Sequence, residues 1–347
     1  MRYRPLGKTG YSVSEIGFGG WGIGGDIWKG GNDQASLSAL HLAIDLGLNF
    51  IDTALSYGNG HSERLIGKLV SQRSERIYVA TKIPPKNLEW PARKRVRLKE
   101  VFPKDHIIAC TEMSLMNLGV DRIDLQHLHV WAPNWIDEME WRETLQQLKR
   151  EGKIAHFGIS INDHEPNSAL DVVAADLIDT VQVIYNIFDP NAAFPLFRLC
   201  EEKNVGIIVR SPFDEGALTG AITLETHFEP GDWREAYFTP KRRKEIVARV
   251  KRLKSLLDEA GANDVGELAL RYCLSHPAVS TVVPGMRKTE HVYRNILASK
   301  GGTLSSEVLE KMAPHAWPKN FYSSGTRNYV TRMLKKCLSY FKRSTED

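Results

Sequence analysis

Three ionisable side chains lie at the ends of short apolar runs, and a tyrosine follows the first of them. Asp52 lies near the end of NFIDTA, Lys82 ends RIYVATK and His129 ends IDLQHLH, while Tyr57 lies in the stretch ALSYGNG after Asp52. A tyrosine hydroxyl has a pKa of about 10 and is a poor proton donor at neutral pH. A neighbouring Lys82 ammonium would lower that pKa, and Asp52 would keep the ammonium charged and oriented.

The four residue types together suit one reaction, the protonation of a carbonyl oxygen while a hydride reaches the carbonyl carbon. Tyr57 would give the proton, and His129 would hydrogen-bond the substrate oxygen. Any one of these side chains alone is more often an ion pair or a capped core group. Because three of them come from successive strands, whose carboxyl ends share one face of a barrel, the set predicts an active site.

His127 and His129 offer a second interpretation, since residues two apart lie on the same side of a strand. Such a pair could bind a metal ion, as in barrel hydrolases. The other strand ends supply Lys82, Ser160 and Arg210 instead of further ligands. The main prediction is therefore a site without a metal, and a metal-dependent hydrolase is the alternative.

Residues 17–22 read Gly-Phe-Gly-Gly-Trp-Gly and match the dinucleotide fingerprint G-x-G-x-x-G. That fingerprint requires a helix to begin at once, so that its amino end faces the pyrophosphate. Here a glycine-rich stretch continues to Asp33, where the next helix is predicted. We therefore reject a Rossmann site, and expect these glycines to let the backbone approach a ligand or to form a flexible loop.

Apolar runs of strand length alternate with segments of helical pattern along the chain. The strand-like runs are SEIGFGG, NFIDTA, RIYVATK, IDLQHLHV, IAHFGIS, TVQVIYN, GIIVRSP and STVVPG. Helical patterns include residues 33–47, 103–119, 135–152 and 168–177. The predicted helix boundaries are an N-cap at Asp33 and terminal glycines at Gly47, Gly119 and Gly152.

These alternating units, without a break in composition, predict a single α/β domain over residues 1–315, a (β/α)8 TIM barrel. A doubly wound open sheet is the alternative. The opening stretch RYRPLGKTGYSVSE predicts a β-hairpin that turns at residues 8–10 and closes the barrel floor. With 347 residues, the chain buries enough surface to need no disulfide or metal staple.

The C-terminal segment 316–347 differs in charge from the rest of the chain. It carries +5, whereas the whole chain carries +4, which leaves −1 for residues 1–315. A net charge of −1 over residues 1–315 argues against a nucleic-acid-binding protein, because such proteins usually carry a basic surface. The apolar residues of the segment recur at helical spacing, opposite Lys and Arg: Val330, Met333, Leu334, Cys337, Leu338 and Phe341. We predict a final helix docked on the barrel, with an oligomeric contact or a membrane-surface helix as alternatives.

The cysteine pattern and the lack of a long apolar stretch predict a cytoplasmic protein without a membrane span. The chain has four cysteines, far apart and without a CxxC pair, as expected of a reducing compartment. Its N-terminus lacks the apolar stretch of a signal peptide. The basic run at residues 93–99 is interpreted as a solvated loop.

The ordered motifs resemble those of the aldo-keto reductase superfamily over about residues 1–310. The matching stretches are LGKTGYSVSEIGFGGW, NFIDTALSYGNGHSERLIGK, VATK, DRIDLQHLH, GKIAHFGIS, VQVIYN, SPFDEGALTG and VVPGMRKTEHVYRNI. The resemblance implies a (β/α)8 barrel that binds a nicotinamide dinucleotide, normally NADPH (NADP+), without a Rossmann domain. It also implies a catalytic tetrad of Asp52, Tyr57, Lys82 and His129, in which Tyr57 is the general acid.

The resemblance also assigns residues to the cofactor. The full set is Gly20, Trp21, Asp52, Ser160, Gln182, Arg210, Ser211, Pro212, Gly216, Arg234, Gly285, Arg287, His291 and Asn295. It implies that Ser160 and Gln182 bind the nicotinamide carboxamide. Arg210 occupies the position where the family often stacks an aromatic ring on the nicotinamide, and a guanidinium plane can also stack.

Further along the cofactor, Ser211, Pro212 and Gly216 match the family's pyrophosphate loop, and Arg234 could reach over the phosphates. Arg287 and Lys288 stand where the family binds a 2′-phosphate, and Asn295 matches the residue that bonds the adenine. His291 and Arg294 differ from the residues that the family commonly has at these positions. The added positive charge favours NADPH over NADH, because only NADPH carries the anionic 2′-phosphate.

These observations predict an NADPH-dependent oxidoreductase that reduces an aldehyde or ketone, or oxidises the corresponding alcohol or sugar. A nicotinamide-binding sensor or regulatory protein on the same barrel is the alternative. The substrate is not predicted, although Trp28, Trp90, Trp233 and Phe238 in the loops indicate an apolar or sugar-like ring. Trp131 belongs to the same set of loop aromatics. Trp131 and Trp135 either wall the substrate pocket or pack against the next helix.

Overall fold

A computed structural model describes residues 1–25 and 27–322 of the chain. Its strands are β1 Tyr3–Pro5, β2 Ser12–Ser14, β3 Phe18–Gly19, β4 Phe50–Asp52, β5 Tyr78–Ile83, β6 Ile123–Leu128, β7 Ile154–Ser160, β8 Thr180–Ile184, β9 Gly206–Arg210 and β10 Val279–Val282. Its helices are α1 Asp33–Asp45, α2 His61–Ser71, α3 Leu98–Val101, α4 Lys104–Leu118, α5 Glu140–Arg150, α6 Leu170–Ala174, α7 Leu196–Glu202, α8 Arg234–Tyr237, α9 Pro240–Lys254, α10 Leu257–Ala260, α11 Val265–Leu274, α12 Thr289–Gly301 and α13 Ser306–Met312.

Strands β3 to β10 form a parallel sheet in which each strand pairs with its neighbour in sequence. Two parallel bridges, Ile16 with Val282 and Gly19 with Gly285, join the last strand to the first. The sheet therefore closes on itself, with helices between the strands. The predicted (β/α)8 barrel is confirmed, and the open doubly wound sheet is excluded.

The N-terminal hairpin closes one end of the barrel, as predicted. Strands β1 and β2 pair antiparallel around a short turn at Gly7–Thr9. The hairpin residues Leu6 and Val13 are fully buried among side chains from the barrel interior. A Cβ on Gly206 would come within 2.9 Å of the Leu6 side chain, so glycine at that position lets the hairpin approach β9.

The start of α1 differs by one residue from the prediction. The N-cap is Asn32, whose side chain accepts a hydrogen bond from the Ala35 amide, and Asp33 is the first helical residue. The carboxylate of Asp33 instead contacts His61, 2.9 Å away. Gly119 ends α4 in the left-handed conformation, as expected of a C-terminal glycine.

Trp131 and Trp135 do not wall a pocket, so that interpretation is wrong. Both are fully buried and pack edge to face with each other, and Trp131 packs in the same way on Trp141. The Trp135 indole also donates a hydrogen bond to the Val96 carbonyl. These rings belong to the core beneath α5, which fits the packing alternative.

The described residues end in an extended segment, 316–322, that returns to the barrel. The Trp317 amide donates to the Phe188 carbonyl, and the Trp317 ring contacts Phe321. The helix predicted around residues 330–341 lies outside the described residues. Within residues 1–25 and 27–322, no helix is long and apolar enough to cross a bilayer.

Candidate active site

A cavity of about 490 Å³ opens where the barrel strands end at their carboxyl termini. Asp52 is the last residue of β4, Tyr57 follows in the next loop, and His129 comes directly after β6. These three line the cavity, and Lys82 of β5 lies fully buried beneath them. The structure therefore brings together the three residues that the sequence places at strand ends and the tyrosine that follows the first of them.

Lys82 and Asp52 form a buried ion pair under the tyrosine. The Lys82 Nζ lies 2.8 Å from each carboxylate oxygen of Asp52, donates to the Thr53 carbonyl at 2.7 Å, and lies 3.4 Å from the Tyr57 hydroxyl oxygen. Burial lowers the pKa of Lys82, and Asp52 opposes that shift. The contacts with Asp52 and Thr53 hold the ammonium group beside the tyrosine oxygen.

The pKa of Tyr57 is raised well above its usual value, mainly by burial and also by the Asp52 carboxylate, while the Arg210 cation acts in the opposite direction. The expected lowering by Lys82 is therefore outweighed in this cavity. The hydroxyl stays protonated at neutral pH, which suits a proton donor.

The His129 ring packs against the Tyr57 ring. Its ring lies edge-on to Tyr57 and to Trp90, with ring centres 5.8 Å apart in each case, and its Nδ1 is 3.3 Å from the Ser56 hydroxyl. Burial, followed by the Lys82 and Arg210 charges, holds the pKa of His129 well below its usual range. A neutral imidazole at this point can hydrogen-bond a substrate oxygen without adding a charge.

His127 does not share the cavity with His129. Its Nε2 lies 2.8 Å from the Thr180 hydroxyl inside the barrel, and burial lowers its pKa to about 3. Within the described part of the chain, no group of three or more His, Cys, Asp or Glu side chains is placed to hold a metal ion. The histidine pair therefore provides no metal centre in the geometry seen here.

A chain of hydrogen bonds links Asp52 to the neighbouring strands. The Gln182 amide nitrogen donates to Asp52 at 2.8 Å, and the Ser160 hydroxyl donates to the Gln182 amide oxygen at 3.2 Å. Ser160 ends β7 and Gln182 lies in β8, and both line the cavity. Two polar side chains thus face the space directly beside the tyrosine site.

Arg210, the last residue of β9, also lines the cavity. Its Nη2 donates to the Ile161 carbonyl at 3.0 Å and to the Asp163 carboxylate at 2.8 Å. Its Nε is buried and has no hydrogen-bond partner among the described residues. Burial disfavours its charge, but Asp163, Tyr322 and Glu215 together outweigh that penalty and raise the pKa of Arg210.

The loop after β9 lines the middle of the cavity through Ser211, Pro212 and Gly216. Glu215 in the same loop was not singled out from the sequence. Its carboxylate accepts hydrogen bonds from the Ser211 hydroxyl at 2.7 Å and from the Tyr322 hydroxyl at 2.6 Å. Burial raises the pKa of Glu215, and the hydrogen bonds from Tyr322 and Ser211 oppose that shift.

Tyr322 was not predicted as a site residue, because no sequence pattern near it indicates a contact with Glu215. The side chain reaches the cavity from the C-terminal segment and stacks nearly parallel to Trp233. Residues 316–322 therefore help to enclose the site. The charge contrast of the segment was visible in the sequence, but the contact depends on the folded path of the chain.

The far end of the cavity is lined by the predicted adenine-end residues. These are Gly285, Arg287, His291, Arg294 and Asn295, whereas Lys288 does not line it. Arg287 donates to the Lys29 carbonyl at 2.6 Å, and Arg294 pairs with Asp264 at 2.6 Å. Arg234 lines the cavity as well, paired with Asp232 and lying over the Trp28 ring.

Gly20 does not line the cavity, although Gly19 and Trp21 do. The Gly20 amide donates to the Asp52 carbonyl, and its own carbonyl accepts from the Ser62 hydroxyl. A Cβ on Gly20 would lie 2.8 Å from the Asp52 carbonyl oxygen. The structure therefore gives Gly20 a packing role, in which it lets the chain pass close to β4.

Three tryptophans wall the cavity beside the tyrosine. Trp21 stacks on Tyr57 with ring centres 6.2 Å apart, and Trp28 packs edge to face on Trp21. Trp90 contacts His129 from the other side. Trp28, Trp90 and Phe238 thus line the site as predicted, whereas Trp233 is fully buried behind it.

The residues that line the cavity suit an extended dinucleotide. A Cβ built on Gly216 or on Gly285 would meet no other atom within 4 Å, so these glycines keep the groove open. Polar side chains stand at one end, a loop with positive φ angles in the middle, and arginines at the other end. Such a loop presents backbone N–H groups suited to phosphates.

Comparisons with known proteins agree with this geometry. The model of the "Aldo/keto reductase family" matches residues 15–316. The aldo-keto reductase YhdN of Bacillus subtilis is 30% identical over 311 residues, covering 88% of this chain and 91% of the relative. The NADH-specific methylglyoxal reductase of Escherichia coli is 28% identical, covering 90% of this chain and 99% of the relative. The glycerol dehydrogenase structure from Gluconobacter oxydans superposes with a TM-score of 0.72 at 26% identity, covering 92% of this chain and 97% of that one.

Proposed function

The chain belongs to the aldo/keto reductase family, a family of oxidoreductases, and from that premise we propose that it transfers hydride between NADPH (NADP+) and a small carbonyl or alcohol substrate. The observation that carries this proposal is the buried Lys82–Asp52 pair held against Tyr57, with neutral His129 beside it. A bound nicotinamide dinucleotide would supply or accept the hydride at this place.

In carbonyl reduction, the Tyr57 hydroxyl donates its proton to the substrate oxygen. Lys82 stabilises the phenolate that results, and Asp52 keeps Lys82 in place. His129 hydrogen-bonds the same substrate oxygen and orients the carbonyl. The tryptophan wall excludes water, which strengthens these electrostatic interactions.

The cavity residues would hold the dinucleotide in three groups. We assign Ser160, Gln182 and Arg210 to the nicotinamide end, next to Trp21 and Asp52. The phosphate group is assigned to Ser211, Pro212, Gly216 and Arg234. The adenine end is assigned to Gly285, Arg287, His291 and Asn295, while Gly20 supports the site through packing.

NADPH is the proposed cofactor because Arg287 adds positive charge at the far end of the cavity. Replacing Arg287 by methionine is expected to raise the Kd of NADPH about 10- to 100-fold, since a charge-assisted bond to phosphate contributes roughly 1.5–3 kcal/mol. The Kd of NADH should change little, and calorimetric titration with both nucleotides measures the difference.

Lys288→Met is the matched control, because Lys288 is adjacent in sequence but does not line the cavity. It should leave both Kd values unchanged. If Arg287→Met loses affinity for NADH and NADPH equally, Arg287 does not recognise the 2′-phosphate. It would then contact a part of the dinucleotide that NADH and NADPH have in common.

The rate of carbonyl reduction is expected to be constant between about pH 6 and 9. Burial keeps the pKa of Tyr57 high, so the donor stays protonated, and it keeps the pKa of His129 low, so the imidazole stays neutral. Measurement of kcat across this range in buffers of constant ionic strength tests the point. A fall in kcat that begins well below pH 9 would show that Tyr57 ionises in the loaded enzyme.

The proposed function is tested by following NADPH oxidation with a panel of aldehydes, aldoses and aromatic ketones. Turnover that depends on Tyr57 supports an oxidoreductase. NADPH binding without turnover would instead support the sensor alternative, and binding of neither nucleotide would overturn both.

Three further assignments are part of this proposal. Residues 1–315 form the catalytic barrel, and residues 316–347 form a C-terminal tail that could also contact an oligomeric partner. Tyr322 supports a role of the tail at the site itself. Among the described residues, Cys110, Cys200 and Cys273 are buried free thiols, which supports a reducing compartment such as the cytoplasm.

A further inference from the structure

Arg210 is a fixed positive charge at the catalytic end of the cavity. Two bonds from its Nη2, to the Ile161 carbonyl and to Asp163, prevent the guanidinium from swinging away. Its Nε is buried, and residues 1–25 and 27–322 offer it no hydrogen-bond partner. The neighbouring strand ends carry Ser160 and Gln182, so this cation borders the space beside Tyr57.

The charge acts on the catalytic groups. Arg210 lowers the pKa of Tyr57, where burial raises it, and lowers the pKa of Lys82 and His129, where burial also lowers it. Asp163 lines the same cavity and partly offsets this charge.

The same charge must act on the nicotinamide. Proton and hydride reach adjacent atoms of one carbonyl group, so the ring that exchanges hydride lies within a few Å of the substrate atom next to the Tyr57 proton. The oxidised ring carries a positive charge and the reduced ring is neutral. A nearby fixed cation therefore raises the free energy of the oxidised form relative to the reduced form.

We propose that Arg210 makes this site bind the reduced dinucleotide in preference to the oxidised one, and so favours alcohol oxidation among the enzyme-bound species. This inference rests on the proposed function. In that direction the phenolate form of Tyr57 would accept the alcohol O–H proton, the carbinol C–H bond would break, and its electron pair would leave with the hydrogen as hydride to NADP+. A carbonyl compound and NADPH result.

Two effects of Arg210 both favour alcohol oxidation. Its charge favours the phenolate form of Tyr57, which accepts the alcohol proton, and it disfavours the cationic nicotinamide, which accepts the hydride. The equilibrium of the overall reaction in solution is unchanged by any enzyme. The balance between bound states, and the rates in the two directions, do change.

The test is the ratio of the Kd of NADP+ to the Kd of NADPH, measured by calorimetric titration of the full chain. Arg210→Met should lower this ratio at least about tenfold, since a unit charge has that effect out to a distance of about 12 Å at an effective dielectric of about 20. A tenfold change corresponds to about 30 mV for a two-electron couple. Arg210→Lys, which keeps the charge, should retain most of the ratio.

Asp163→Asn tests the proposal through a change of the Kd ratio in the opposite direction, while Arg210 itself is kept. Removing the counter-charge should raise the ratio above that of the unaltered protein. Arg287→Met is the control for a remote cation of the same cavity, and should weaken both forms without changing their ratio.

An unchanged ratio in Arg210→Met together with an unchanged ratio in Asp163→Asn would overturn the inference while leaving the proposed function intact. If the unaltered protein binds neither nucleotide, the proposed function itself fails. The two failures are thus separated by one titration.

Discussion

Replacing Tyr57 by phenylalanine is expected to reduce kcat for carbonyl reduction by about 10²- to 10⁴-fold, the usual contribution of a positioned general acid. The substitution removes one oxygen and leaves the ring that stacks on Trp21. Lys82 keeps its bonds to Asp52 and Thr53, so the buried pair does not lose its partner. Steady-state kinetics with NADPH measures the loss.

The matched control is Tyr3→Phe, which removes a hydroxyl bound to the Gly47 carbonyl near the hairpin, away from the cavity. Its kcat should equal that of the unaltered protein. The Kd of NADPH for Tyr57→Phe should also be preserved, because the hydroxyl does not hold the cofactor. Full activity in Tyr57→Phe would mean that another group gives the proton.

Lys82→Met is expected to destabilise the fold by about 3–5 kcal/mol, because it leaves the Asp52 carboxylate buried without its cation. Lys82 is fully buried, and Asp52 has only 4% of its surface exposed. Solvent cannot therefore replace the lost partner. Urea unfolding monitored by circular dichroism measures the change in the free energy of unfolding.

The double variant Lys82→Met with Asp52→Leu separates stability from catalysis. Removing both charges should recover part of the lost stability, since the unpaired carboxylate is gone. Activity should stay low, because no ammonium remains to stabilise the Tyr57 phenolate. A Lys82→Met protein as stable as the original would contradict a tightly paired, desolvated ion pair at this position.

The barrel and the grouping of the tetrad were predictable because each rests on a local pattern. Apolar runs of strand length marked the strands, and Asp52, Lys82 and His129 came at or just after strand ends. Parallel strands bring such ends to one face regardless of the detailed packing. The sequence alone was therefore sufficient to place these side chains near one another.

Other features depend on contacts between distant segments and were not predictable in the same way. Tyr322 meets Glu215 across 107 residues of chain, through a folded path that no local pattern specifies. Trp131 and Trp135 could pack or line a pocket, and only the position of α5 decides. The pKa of Tyr57 likewise depends on how deeply the loop buries it, which outweighs the nearby ammonium.

The tryptophan wall gives the protein an optical property of its own. Indole rings emit light in the range that a reduced nicotinamide absorbs, whereas an oxidised nicotinamide is transparent there. With Trp21, Trp28 and Trp90 lining the cavity, excitation energy would pass by resonance transfer to a reduced cofactor lying among them. The ultraviolet-excited emission of the unlabelled protein would therefore dim with NADPH bound and recover as hydride leaves it, so that each turnover is visible without a dye.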